Sequence, residues 1–188
     1  MMERGRSRIF LAALVLALGA APGVRAQTEE ARTLELEGGA QVSYTVRTHP
    51  ADAHLLRPGA ALAPTSALDS AKLLNLHLSA GDIEEAALLS NSPRRRFEVL
   101  RDYRESVGED EFKRVFAQYF YPENRVLAEI AIDRHRLLVW DLREGATRIA
   151  GQFFVEIDGR YLIDDVPNDM RTRLRWVLEA YRSGKIPR

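Results

Sequence analysis

The chain has 188 residues, with 27 basic and 27 acidic side chains and no cysteine. The missing cysteine excludes disulfides, thiolate metal sites and cysteine nucleophiles, and the balanced charge leaves no basic field to attract nucleic acid. A chain of this length fits one domain with a sizeable core, since such domains bury roughly 70% of their unfolded surface.

The opening MMERGRSRIFLAALVLALGAAPGVRA places Arg4, Arg6 and Arg8 before an apolar run from Ile9 to Ala21, with Val24 and Ala26 at the spacing that signal peptidase accepts. This pattern predicts a secretory signal peptide over 1–26, cut between Ala26 and Gln27. The apolar run is shorter than the roughly 20 residues that span a bilayer, so no membrane span is expected after cleavage. An uncleaved anchor is the alternative, while a lipid anchor would need a cysteine at the cut. Cleavage removes four arginines and one glutamate and leaves a net charge of minus three. The expected location is the periplasm, because nothing marks the chain for a second membrane crossing.

After the cut, TLELEGGAQVSYTVRTH alternates Leu34 and Leu36, then Val42, Tyr44 and Val46, around Gly38 and Gly39, which predicts a hairpin. PADAHLLRPGAALAPT has no useful period and reads as a connector on the surface. Thr65 or Ser66 then caps a helix to about Ala80, and Gly81 stops it because glycine takes the left-handed conformation freely. Asp82 is expected to cap a short second helix, with Glu85 reaching back to the cap amide as a capping box. Ser92 and Pro93 open a third helix that ends at Gly108. A fourth carries Phe112, Val115, Phe116 and Tyr119 and stops before Pro122.

Four strands follow, RVLAEIAID, RLLVWDL, TRIAGQFFVEI and RYLIDDV, with turns at Asp133 to His135, Glu144 to Ala146, and Asp158-Gly159. The simplest arrangement is an antiparallel meander, and Asp158-Gly159 suits a two-residue type I′ turn. Asn168 caps a fifth helix with Met170, Leu174, Val177, Leu178 and Tyr181 on one face, expected to lie against the sheet. The order gives an α+β fold, with a hairpin and connector over 27–65 and an α+β domain over 66–188.

LLNLHLSAGDIEEAALLS resembles the helix, Ala-Gly-Asp corner and second helix of the NTF2-like superfamily, and VEIDGRYLIDDV is similar to the terminal hairpin of its curved sheet. The resemblance covers Ser66 to Val166 and implies a cystatin-like α+β cone in which a sheet wraps helices, often around a pocket. Members of that superfamily are enzymes, ligand binders or dimeric partner modules. This chain departs from the pattern in its four successive helices before the strands, its final helix and its opening hairpin.

Three groups are candidates for a site. Asp82, Glu84 and Glu85 could do acid and base work, but each also suits an exposed helix start. Arg94, Arg95 and Arg96 sit inside a helix N-terminus, where the dipole disfavours cations; they form either an anion site or ion pairs, Arg94 with Glu98 and the others with acids of the short preceding helix. Glu129 and Asp141, with Glu156, interrupt apolar strands, so one of them could face a pocket and move a proton, or all could face solvent. The four histidines, His49, His54, His77 and His135, lie in separate segments without metal-ligand spacing, and His77 reads as a packing residue. No phosphate loop, nucleophile elbow or nucleotide fingerprint is present, so no cofactor or metal is expected.

The first expectation is therefore a non-enzymatic periplasmic module that binds a small molecule or a protein in an apolar cone. A proton-transferring enzyme using Glu129 or Asp141 is the second. A self-associating module, such as a homodimer formed through the outer sheet face, is the third.

Overall fold

The computed structural model describes residues 29–59, 61–143 and 148–187. The predicted signal peptide with its cut at Ala26 and Gln27, and the predicted turn from Glu144 to Ala146, lie outside the described residues.

Two strands come first, β1 (Glu29–Glu35) and β2 (Gln41–Arg47), followed by α1 (Ala67–Ala80), α2 (Ile83–Leu88), α3 (Pro93–Val107) and α4 (Glu109–Ala117). A 3-10 turn over Gln118–Phe120 leads into β3 (Arg125–Ile132), β4 (His135–Leu142), β5 (Arg148–Ile157) and β6 (Arg160–Ile163), and α5 (Asp169–Arg182) closes the order. The fold is α+β, as expected. All six strands form one antiparallel sheet in sequential order, because β2 pairs with β3 at Thr45↔Ala131 through Arg47↔Glu129. The opening hairpin thus extends the meander and belongs to the same sheet as the strands of 66–188. A bulge between Val126 and Ala128 bends β3.

β3, β4 and β5 are covered on both faces of the sheet, whereas β1 and β2 bury one face. Leu34, Val42, Val46, Ile130, Leu137, Val139 and Ile149 pack against Leu174, Val177, Leu178 and Tyr181 of α5. On the opposite face Val126, Leu138, Trp140, Leu142 and Phe154 meet Ala71, Leu74, Leu78, Ile83, Leu100 and Phe112 of the α1–α4 layer. Successive strand side chains point to opposite faces, so Leu137-Leu138-Val139-Trp140 feeds both clusters at once. Each fully buried large apolar side chain of this kind contributes about 1.5–3 kcal/mol.

Local signals explain most of the element ends. The Ser66 hydroxyl accepts the Asp69 amide at 3.1 Å and donates to the Asp69 carboxylate at 2.8 Å, a reciprocal cap for α1. Asn168 caps α5 by accepting the Arg171 amide at 2.8 Å. The turn residues Asp158 and Gly159 both have positive φ, 51° and 74°, as a type I′ turn requires.

Two expectations are corrected. The Asp82–Glu85 capping box does not form, since Asp82 makes no side-chain cap bond. Its amide instead donates to the His77 carbonyl at 2.9 Å while Gly81 donates to Leu78 at 3.1 Å, the paired bonds that close α1, so no free cap amide remains for Glu85. The connector also reaches deeper than the surface: His54 is 1% exposed, donates its Nε2–H to the Tyr121 carbonyl at 3.0 Å, and stands edge-on to Trp140.

Candidate functional site

β6 is short. It pairs only with Phe154 to Ile157, so the preceding part of β5 runs along a bare edge of the sheet. At one end of that edge Asp164 donates its amide to the Phe153 carbonyl at 2.9 Å; at the other, Arg182 Nε donates to the Ile149 carbonyl at 3.2 Å. Main-chain groups of alternate residues face the same side in an antiparallel strand, so the N–H and C=O of Gly151 face this edge as well.

A cavity of about 300 Å³ opens there, between the helical layer, β5 and the first turn of α5. Leu74 and Leu78 of α1, Leu100 of α3, and Phe116 and Tyr119 supply an apolar wall; Gly151, Gln152 and Phe153 supply the strand side. Arg96, Asp164 and Arg171 form its polar end. Tyr119 stands edge-on to Trp140, and burial pushes its hydroxyl up to about 12, so the phenol stays protonated near neutral pH.

The polar end divides into groups that are satisfied and groups that are not. Asp164 accepts Asn91 Nδ2 at 2.9 Å and Asn168 Nδ2 at 3.0 Å, and pairs with His135 Nδ1 at 3.0 Å. Asp165 holds Arg96 through two bonds of 2.7 and 2.6 Å and accepts the Ser90 hydroxyl at 2.6 Å. Gln152 Nε2 donates to Asn75 Oδ1 at 3.1 Å, yet Gln152 Oε1 and Asn75 Nδ2 are buried without a partner among the described residues. Asn75 is 0% exposed, and turning both amides over would still leave one donor and one acceptor unused. Arg171 Nε is likewise buried and unpaired, and its guanidinium lies 5.6 Å from the centre of the Phe153 ring. Each such orphan costs about 1–3 kcal/mol, which a bound polar group can recover.

A larger hollow, of about 430 Å³, lies between the connector and α1, beside Leu56, Lys72 and Leu76. None of its described lining residues has a buried polar atom lacking a partner, which makes the β5 edge the better candidate.

The residues expected from sequence fall elsewhere or in part. Of the arginine run, Arg94 pairs with Glu98 at 3.3 Å as expected, Arg95 is exposed, and Arg96 turns into the cavity wall. Arg96 meets Asp165, beyond β6, and not an acid of α2, because the turn from Leu89 to Asn91 lies against β6 and brings the start of α3 beside Asp165. An anion site built from all three is therefore not assembled.

Glu129 is 6% exposed, 2.8 Å from His49 Nε2 and 3.7 Å from Arg136. Asp141 is 2% exposed, 3.1 Å from Arg143 and 3.5 Å from Arg125. Neither carboxylate faces solvent, and neither lines this cavity: their strand positions lie away from the β5 edge, under their own cations. Glu156 is half-buried and accepts the Tyr161 hydroxyl at 3.1 Å. Asp82, Glu84 and Glu85 are exposed, as a helix start would have them. Among the described residues no group of three or more histidine and acidic side chains could hold a metal ion, and no helix is long and apolar enough to cross a membrane.

Arg171, Asn75, Gln152, Asp164 and Asp165 were not expected from the sequence. One signal was available: Arg171 lies in the first turn of α5, where the dipole disfavours a cation as it does at Arg94 to Arg96. No protein-family model matches the chain, and no curated protein or solved structure matches it either.

Proposed function

We propose that the chain is an exported, NTF2-like module that binds a small molecule in the cavity at the β5 edge without transforming it. The observation that carries this reading is the pair of buried, unpaired polar atoms on Gln152 and Arg171, which line the cavity beside its apolar wall. A pocket that is mostly apolar with a few convergent polar groups is the usual form of a small-molecule site. Support for export comes from the opening residues, with Arg4, Arg6 and Arg8 ahead of an apolar run and Ala26 at the cut. Support for the NTF2-like reading comes from the two quoted segments, together with a helical layer that precedes a sequential meander and leaves a hollow at its rim.

Proton transfer by Glu129 or Asp141 has less support, since each is already held by a basic partner away from the cavity. The test is native mass spectrometry on protein expressed with its own leader and purified gently from the periplasm. The expected result is a chain whose mass starts at Gln27, carrying a small additional mass that leaves on denaturation. A periplasmic chain that carries no additional mass and takes up none from a cell extract would overturn the binding reading.

A further inference from the structure

Resting on that reading, we infer that the ligand of the β5-edge cavity is a small amphipathic monocarboxylate, its head group on Arg171 and its apolar body against Leu74, Leu100 and Phe116. Two independent effects oppose a cation where Arg171 stands. Partial burial lowers its pKa from the ordinary arginine value, and the first turn of α5 presents the positive end of the helix dipole. The charges of Asp164 and Asp165 offset them only in part. No carboxylate lies within ion-pair distance of Arg171 among the described residues, and the two acids nearby are engaged by other groups: Asp165 by Arg96 and Ser90, Asp164 by Asn91, Asn168 and His135.

What remains is a planar fork of donors with one N–H buried and unused. Phe153 lies beside the guanidinium, a cation–π contact that helps to orient it. Such a fork matches the two oxygens of a carboxylate, and hydrogen bonds between ionised groups are the strong ones.

Charge and size narrow the class further. Of the two arginines lining the cavity, Arg96 is held by Asp165 and Arg171 by no carboxylate among the described residues, so one negative charge fits. A dianion such as a phosphate monoester would meet the Asp164 carboxylate, which lines the same cavity. At about 300 Å³ the space is at the small end for ligand sites, which favours a short single chain over a lipid with two.

The experiment compares octanoate, 1-octanol and octyl phosphate binding to the mature protein by titration calorimetry, in wild type, Arg171→Gln and Arg171→Lys. Circular dichroism and melting curves report whether each variant is folded. Octanoate is expected to bind at least about tenfold tighter than octanol, the size of one hydrogen bond to a charged group, and tighter than octyl phosphate. Arg171→Gln should bring octanoate down to the level of octanol and leave octanol unchanged; Arg171→Lys should fall between. Equal binding of octanoate and octanol to wild type would overturn the head-group inference while leaving the cavity reading intact. Tightest binding of octyl phosphate would overturn the choice of a monoanion. If none of the three binds although native mass spectrometry shows a bound mass, the carboxylate inference fails alone; if no mass is bound either, both readings fail.

Discussion

Asp164 is the residue on which the polar end of the cavity turns. Its carboxylate is 1% exposed and collects the side-chain amides of Asn91 and Asn168 and the ring of His135. Those partners lead into α3, cap α5 and begin β4, so one side chain ties three elements together. Replacing it by alanine takes this acceptor from the buried His135 ring and the half-buried Asn91 amide, while Asn168 keeps only the Val166 carbonyl at 3.0 Å. Asp164→Ala is therefore expected to lose roughly 2–4 kcal/mol in urea denaturation. A loss below about 1 kcal/mol would show that the cluster relaxes and that Asp164 is not its anchor. No local pattern reveals such a hub, because Asn91 lies 73 residues and His135 29 residues from Asp164 along the chain. Arg171 was easier to find: the dipole argument that singled out Arg94 to Arg96 applies equally to the start of α5.

The elements themselves were largely legible, because their ends depend on neighbours in the chain. Ser66, Gly81, Asn168 and Asp158-Gly159 each act within a few residues, and each behaves as its side chain or backbone freedom dictates. The capping box failed for a reason equally local but one step removed: closing α1 had already engaged the Asp82 amide. Sheet sidedness was hidden for a different reason. Strands buried on both faces show no alternation of apolar and polar residues, so inward and outward positions look alike. At Gly151 α5 packs closely on β5. A Cβ built there would stand 2.5 Å from Leu178 Cδ2 and 3.0 Å from Leu137 Cδ1. Gly151→Ala should cost about 1–3 kcal/mol by overpacking, measured by thermal or urea unfolding, whereas Leu178→Ala combined with it should recover part of that loss. Additive losses in the double variant would show that the two sites are independent.

Burial on both faces also sets how the molecule as a whole meets alkali. Tyr44 and Tyr181 in the α5 layer, and Tyr119 and Tyr161 on the other side, all have hydroxyl pKa values raised first of all by burial. A phenol held neutral in the folded state ionises more readily once unfolded, so this contribution to stability is fully present below the ordinary tyrosine value. It is lost as pH rises from about 10 toward about 12 for Tyr119. Urea midpoints should fall steeply over that range, and Tyr119→Phe should flatten the fall; an unchanged slope in the variant would mean that Tyr119 ionises as freely in the folded protein as in the unfolded chain.

The sequential six-stranded sheet has one more effect, on the order in which the chain acquires its shape. β2 is made early but finds its partner β3 only after all four helices of the first layer have been synthesised, and the apolar face of Leu137, Val139 and Ile149 stays wet until α5 follows. Pairings so distant along the chain form slowly, since a long loop must close before any contact rewards it. A nascent chain stopped short of α5 would carry a half-covered sheet, a sticky intermediate suited to chaperone capture, and folding would be completed by late docking of a helix instead of growing outward from the first hairpin.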